Sequence, residues 1–321
     1  MKIIKHTLFI IFLSLQSLLY PQFYNGSQMY FGKNRVQQSE LFWMYYNFSE
    51  FEIYFTKNGK ELAIYTAKYA HNILKDFQKK LDYTTDTKLQ FIIFNKQSDL
   101  EQSNIGYIPY EEYNTGGITK IEDSKIMLYF NGDHNNFNQQ IRKGIAQMLV
   151  NEILLGNNIT SVMKNSALMS LPNWYVDGLI SFLAYQWNTE IDNKVRLGIL
   201  SGNYKKYNKL TGQDAIYAGH SIWNYIISKY GYSVLPNILY ITKASKNIES
   251  GFLFTLGVSY KSIIENWISY YETLYNNEKN IRVIPDIHNL KLKKNKSIIK
   301  NIKISPNADK IAYVSYTNDK V

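Results

Sequence analysis

The first half of the chain alternates short apolar runs with one long helical stripe. Phe51 to Phe55 has the texture of a strand and leads into a turn at Asn58-Gly59. From Glu61, the apolar positions Leu62, Tyr69, Ala70, Ile73, Leu74, Phe77 and Leu81 recur at helical spacing. Leu89 to Phe94 is a short run rich in Ile and Phe and predicts a strand. Ile118 to Ile121 and Ile126 to Phe130, beyond a turn at Gly116-Gly117, predict two more. A small mixed sheet with one long helix is the expectation for this part.

After Asn135 the period becomes helical and stays so. Phe137, Ile141, Ile145, Met148, Leu149 and Ile153 form one stripe, ended by Gly156. Pro172 sits where a first-turn proline belongs, ahead of Trp174, Leu179, Ile180 and Leu183. Further helices are predicted from about Ala218 to Lys229, Val234 to Thr242 and Lys261 to Leu274, punctuated by Gly231 and Gly257. Residues 284–300 read as a basic linker containing Lys291, Lys293, Lys294, Lys296 and Lys300. Ile302 to Val314 then alternates around Ser305-Pro306-Asn307-Ala308, which predicts strand, turn, strand. The fold class expected is α+β, with a mostly helical second half and a short β tail.

Composition narrows the chemistry. A hydrophobic fraction of 45% supplies a core, and 19% charged residues with 15% aromatics exclude an ordinary disordered chain. There is no cysteine among the 321 residues, which excludes disulfides, a thiol nucleophile and cysteine-based metal sites. Five histidines leave little for metal chemistry. The net charge of +10 would suit nucleic acid or an anionic membrane surface. The basic residues are scattered, however, and Lys, Asn, Ile and Tyr are abundant together, so a general compositional bias explains the charge and no nucleic-acid partner is expected.

Lys2 and Lys5 precede an apolar run from Leu8 to Tyr20, the length of a signal-peptide core and short for a membrane span. Residues 1–21 therefore read as a secretory signal. An uncleaved anchor or a buried N-terminal helix is the alternative, because Ser17 to Gln22 lacks a small-x-small cleavage pattern and Pro21 blocks cutting after Tyr20. No later run reaches about 18 apolar residues. The remainder is expected to be exported, periplasmic or outer-membrane associated, with no further transmembrane span and with protein partners in the cell envelope.

Two stretches carry a family resemblance. Ile141-Arg142-Lys143-Gly144-Ile145-Ala146-Gln147-Met148-Leu149 looks like the helix that bears HExxH in zinc peptidases. Leu171-Pro172-Asn173-Trp174-Tyr175-Val176-Asp177-Gly178-Leu179 looks like the following helix, which supplies the third ligand in a P-x-W-x-x-E-G context. Phe31 to Gln37, Phe51 to Phe55 and Tyr217 to Trp223 add to the likeness. Ile304 to Tyr313 is similar to the SPDG-K-IAY opening of a TolB-type repeat. Residues 22–283 thus resemble a peptidase-MA-like (gluzincin) domain of exported Gram-negative bacterial proteins. Residues 301–321 resemble the start of a TolB-like β-propeller. The resemblance implies a zincin-like fold and, in intact members, a bound zinc.

The motif positions depart from the family. Lys143 stands at the first His, Gly144 at the catalytic Glu, Gln147 at the second His and Asp177 at the third-ligand Glu. Lysine repels zinc, glutamine is a weak ligand and glycine offers no base. A catalytic zinc site needs about three protein ligands, and only Asp177 retains a good one. No cofactor is therefore expected. Lys143 and Asp177, brought together by such a fold, would form an ion pair in place of the metal, with the Gln147 amide donating to the same carboxylate. The alternative is that Lys143 extends into water. Of the histidines, His71 is expected to pack or lie at the surface, His134 to sit in a polar loop and His288 in the linker. His220, at a predicted helix start near the cleft, is the one candidate for a site. No G-x-S-x-G elbow and no phosphate-binding glycine cluster occurs.

Two functional readings follow. One is a non-catalytic peptidase-like domain, a pseudoenzyme with a structural or protein-interaction role beside a propeller. The other is a zinc-dependent metallopeptidase with an atypical metal set such as Asp177 with His220.

Overall fold

The computed structural model describes residues 40–102, 121–122, 125–156, 171–281, 298–307 and 309–316. The predicted signal segment, the Gly116-Gly117 turn, most of the strand expected at Ile118 to Ile121, and most of the basic linker lie outside these residues. The chain divides into two units at Tyr275 and Asn276, within the last helix described.

The larger unit begins with a five-stranded sheet. Its strands are β1 (Trp43–Asn47), β2 (Phe51–Thr56), β3 (Leu89–Phe94), β4 (Ile121–Glu122) and β5 (Lys125–Tyr129), in the order β1-β2-β3-β5-β4. β2, β3 and β5 run parallel, and the outer strands β1 and β4 are antiparallel to their neighbours. Central parallel strands are covered on both faces, so they read as apolar runs rather than alternations. Leu89-Gln90-Phe91-Ile92-Ile93-Phe94 is such a run, buried at every position but Gln90. A parallel pair needs a long crossover. Helix α1 (Lys60–Leu81) supplies the one between β2 and β3, burying Ala70, Ile73, Leu74, Phe77 and Leu81. The short α2 (Gln97–Glu101) joins a small second cluster through Leu100, with Ile92, Phe94 and Met127.

Helix α3 (His134–Leu155) follows β5 directly. The Asp133 carboxylate caps it by accepting from the Asn135 amide at 2.8 Å. Gln140 ties the helix to the strand, its Oε1 accepting from Tyr129 N at 3.1 Å and its Nε2 donating to Tyr129 O at 3.0 Å. The predicted stripe is buried, and Gly156 ends the helix at φ 98°.

Next come α4 (Asn173–Ala184), α5 (Thr189–Leu200), a 3-10 turn (Asn203–Lys209), α6 (Gly212–Tyr230), α7 (Val234–Ser245), α8 (Ile248–Leu256) and α9 (Tyr260–Ile281). Pro172 is the N-cap of α4 rather than its first residue. A Cβ at Gly219 would lie 1.9 Å from the Trp174 carbonyl oxygen, and one at Gly178 would lie 2.5 Å from the Gly219 Cα. Glycine on both helices lets α4 and α6 meet backbone to backbone. The large side chains between them are satisfied as well as packed. Trp223 donates to Tyr175 O at 2.9 Å, Trp267 to Ser221 Oγ at 3.1 Å and Trp174 to Asn208 Oδ1 at 3.1 Å. Among the described residues, no helix is long and apolar enough to cross a membrane.

The smaller unit contains an antiparallel hairpin of β6 (Ile298–Ile304) and β7 (Ile311–Tyr316). β6 starts at Ile298, inside the stretch expected to be linker. Its register shifts between Lys300 and Lys303, with Asn301 at φ 56°, a bulge that uses asparagine's tolerance of the left-handed region. Ser305 closes the turn, its Oγ accepting from the Asp309 and Lys310 amides.

Candidate functional site

The site positions named by the sequence fall on α3 and α4, which pack against each other. Their side chains leave α3 in different directions. Gly144 is buried against β5: a Cβ there would lie 2.4 Å from the Ile126 Cγ2. A larger residue at this position must displace a fully buried isoleucine. Lys143 and Gln147, one turn apart, are half-buried. Asp177 on α4 is also half-buried.

Burial raises the Asp177 carboxyl above the usual carboxylate range, and the Lys143 ammonium works in the opposite direction. The two charges therefore feel each other through space, with desolvation the larger influence. The expected contact is not made. Among the described residues no ion pair within 4.0 Å and no hydrogen bond joins Lys143 to Asp177, and none joins Gln147 to that carboxylate. Half-burial explains this, since water reaching both groups removes the need for a direct bond.

His220 is engaged elsewhere. It lies inside α6 rather than at its start and is 1% exposed. Its Nδ1 is 3.0 Å from Ser181 Oγ, on the turn of α4 that follows Asp177. The ring meets Phe182 nearly edge-on and Trp187 at 55°. Burial lowers its pKa to about 4, so it is neutral near pH 7. Among the described residues no three His, Asp or Glu side chains converge on a point that would hold a metal ion. His71 sits 2.6 Å from Glu50 Oε2. His134 is not a loop residue: it opens α3 and packs edge-on against Tyr65 and Phe130. His288 lies outside the described residues.

Arg142 was not singled out by the sequence, and it ties α3 to the end of α4. It turns away from Lys143 to the C-terminal end of α4, donating from Nε to Ala184 O and from Nη2 to Leu183 O, both at 2.8 Å. A cation there complements the negative end of the helix dipole. Its guanidinium also lies 5.1 Å from the centre of the Phe77 ring. Beside it opens a cavity of about 250 Å³ bounded by parts of α1, α3, α4 and α6, with His220 in its wall. Nothing in the one-dimensional pattern marks Arg142 or Ser181. Their roles depend on which turn of a separate helix comes to rest against them.

No protein-family model matches this chain, and no curated protein matches it.

Proposed function

We propose that the chain carries a peptidase-MA-like, zincin-type domain that does not catalyse peptide hydrolysis. It serves an exported protein as a structural or protein-interaction module, ahead of a propeller-like repeat. The observation that carries this reading is Gly144. At the position that aligns with the family's catalytic glutamate, a Cβ would lie 2.4 Å from the Ile126 Cγ2, leaving no room for a side chain without repacking. Lysine and glutamine at the flanking ligand positions remove two metal donors. Asp177, half-buried on α4, is left as a single carboxylate, far short of a zinc set.

The zincin-like reading has architectural support. Three parallel strands are followed by an antiparallel edge strand, β4, that touches α3. The helix with the altered motif packs on the helix that bears Asp177. The propeller reading rests on the hairpin at Ile298–Tyr316 and its Ser305 turn. Export, with a protein partner in the cell envelope, rests on the Lys2-Lys5 and Leu8–Tyr20 pattern.

Metal analysis of the purified chain together with a peptidase assay tests the proposal. Zinc far below one equivalent after dialysis, and no chelator-sensitive cleavage of unstructured peptides, is the expected result. Near-stoichiometric zinc retained through dialysis, or hydrolysis abolished by a chelator, would overturn it.

A further inference from the structure

β1 is an edge strand without the usual guards. It pairs with β2 on one side, and among the described residues no strand pairs with its other side. An open edge offers a row of free backbone N–H and C=O groups to any other strand, so natural sheets blunt it with lysine, proline or a bulge. Here the run Leu41 to Ser49 holds no charged residue, no proline and no glycine. The register with β2 is unbroken from Trp43↔Thr56 to Asn47↔Glu52, so no bulge turns the edge away. Phe42, Trp43, Met44, Tyr45 and Phe48 are all exposed along it.

The free backbone groups can be assigned. Phe48 donates its amide to Phe51 O at 2.9 Å, so its backbone faces β2. Successive residues of a strand alternate in this respect. Tyr46 and Met44 therefore face β2 as well, and Trp43, Tyr45 and Asn47 turn their N–H and C=O groups to the open edge. A second β1, antiparallel and centred on Tyr45, matches this set. Its Tyr45 lies opposite Tyr45, and its Asn47 and Trp43 lie opposite Trp43 and Asn47. These are the pairs that exchange backbone hydrogen bonds, and none is left over.

The side chains agree with the same register. Tyr45 already stacks on Tyr54, with ring centres 5.5 Å apart, and the two-fold would continue that row as Tyr54, Tyr45, Tyr45, Tyr54 across both copies. Lys88 donates to the Asn47 side chain, which places its ammonium at the end that meets Trp43 of the other copy, a cation–π arrangement. The chain carries a net charge of +10, so two copies repel unless they meet where cations are scarce. An uncharged strand meeting itself satisfies that condition.

We propose that the chain self-associates through β1, two copies joining edge to edge about a two-fold axis at Tyr45 into one continuous ten-stranded sheet. The contact is isologous, so it closes at two copies. It does not depend on the peptidase-like reading. Five residues a side bury less than the roughly 1,200–2,000 Å² of a stable complex, so the dimer is weak.

Sedimentation equilibrium of the full chain tests this, with Tyr45→Lys and Tyr45→Asp measured separately and as an equimolar mixture. Tyr45 is exposed, and circular dichroism melts confirm that both variants are folded. A monomer–dimer equilibrium with a Kd of about 10–100 µM is expected for the wild type. Each variant alone places like charges opposite each other on the axis and should weaken the dimer about tenfold or more. The mixture places Lys opposite Asp and should dimerise at least about tenfold more tightly than either variant alone. A wild type that stays monomeric up to about 1 mM would mean that something other than a second copy occupies the edge, and would overturn the proposal. So would a dimer unchanged by Tyr45→Lys, which would lie on another surface, or a mixture that associates no better than its components.

Discussion

His220 is the residue whose surroundings bear most directly on stability. Its pKa is lowered from 6.5 to about 4 in the folded chain, because burial penalises the imidazolium. Between those values the unfolded chain binds a proton that the folded chain does not, so stability rises with pH across that window. The contribution is whole above pH 6.5 and is lost as pH falls through 4. With about 1.4 kcal/mol per pKa unit, the loss amounts to about 3 kcal/mol. Urea denaturation at neutral pH and at acid pH, for wild type and His220→Gln, checks this: the wild type should lose more stability on acidification, by that order. Lys143 and Asp177 behave differently, being half-buried and joined by no direct bond. A double-mutant cycle between Lys143→Met and Asp177→Asn is expected to give a coupling of about 0–1 kcal/mol, the range of solvated pairs. A coupling of several kcal/mol would mean a desolvated pair in direct contact.

At the scale of elements, the contact between α4 and α6 has the least tolerance. Alanine normally favours a helix interior over glycine by about 1 kcal/mol. At Gly219 the added methyl would lie 1.9 Å from a carbonyl oxygen of α4, and backbone cannot rotate out of the way. Gly219→Ala is therefore expected to destabilise the chain by at least about 2 kcal/mol despite its better helix propensity. Chemical denaturation measures the difference, and a stability equal to or above wild type would show that the helices can separate at no cost. The hairpin offers the converse case. Ile302, Ile304, Ile311, Tyr313 and Val314 are all exposed in it. Two strands alone are marginal in water, and stability needs a third strand or a packed face. A synthetic peptide covering residues 298–316 should show no cooperative thermal unfolding by circular dichroism; a sharp melt would contradict this.

Across the whole molecule, the high aromatic content resolves mainly into core. Trp174, Trp223, Trp267, Tyr175, Tyr271 and Tyr275 are fully buried. Buried Trp and Tyr need partners for their N–H and O–H groups, and the helical half provides most of them through Asn208, Tyr175 O, Ser221, Thr242 and Asp192, while Asn224 donates to the Tyr271 hydroxyl and the buried Tyr204 hydroxyl is left unsatisfied. Abundant tyrosine is thus not in itself a sign of a binding surface. An exposed apolar group remains at the sheet edge, where Phe42, Trp43, Met44 and Tyr45 lie on or beside β1. The helical half also leaves Phe254 and Tyr240 in water.

Periodicity determined most of the long elements. α1, α3 and the central strands follow the apolar spacing closely, because burial of one helix face or both strand faces leaves a pattern that needs no partner to be read. Shorter or more polar elements left less. β1 is exposed at nearly every position, and α5 and α8 are brief and capped by single asparagines, so their spacing carries little signal. Lys143, Gly144, Gln147 and Asp177 were legible as four residue identities, and under the proposed alignment those identities argue against a zinc site. Only the tertiary structure decided what those residues do instead: Gly144 meets Ile126, Lys143 and Asp177 stay apart, and Arg142 crosses to the end of α4. Likewise the sequence marked His220 as worth attention but put it at the start of a helix rather than inside one. A helix position fixes which face a side chain leaves from, and the neighbouring helix fixes what it meets. For His220 that neighbour is Ser181 and the wall of a cavity, a pairing 39 residues apart that no local pattern encodes.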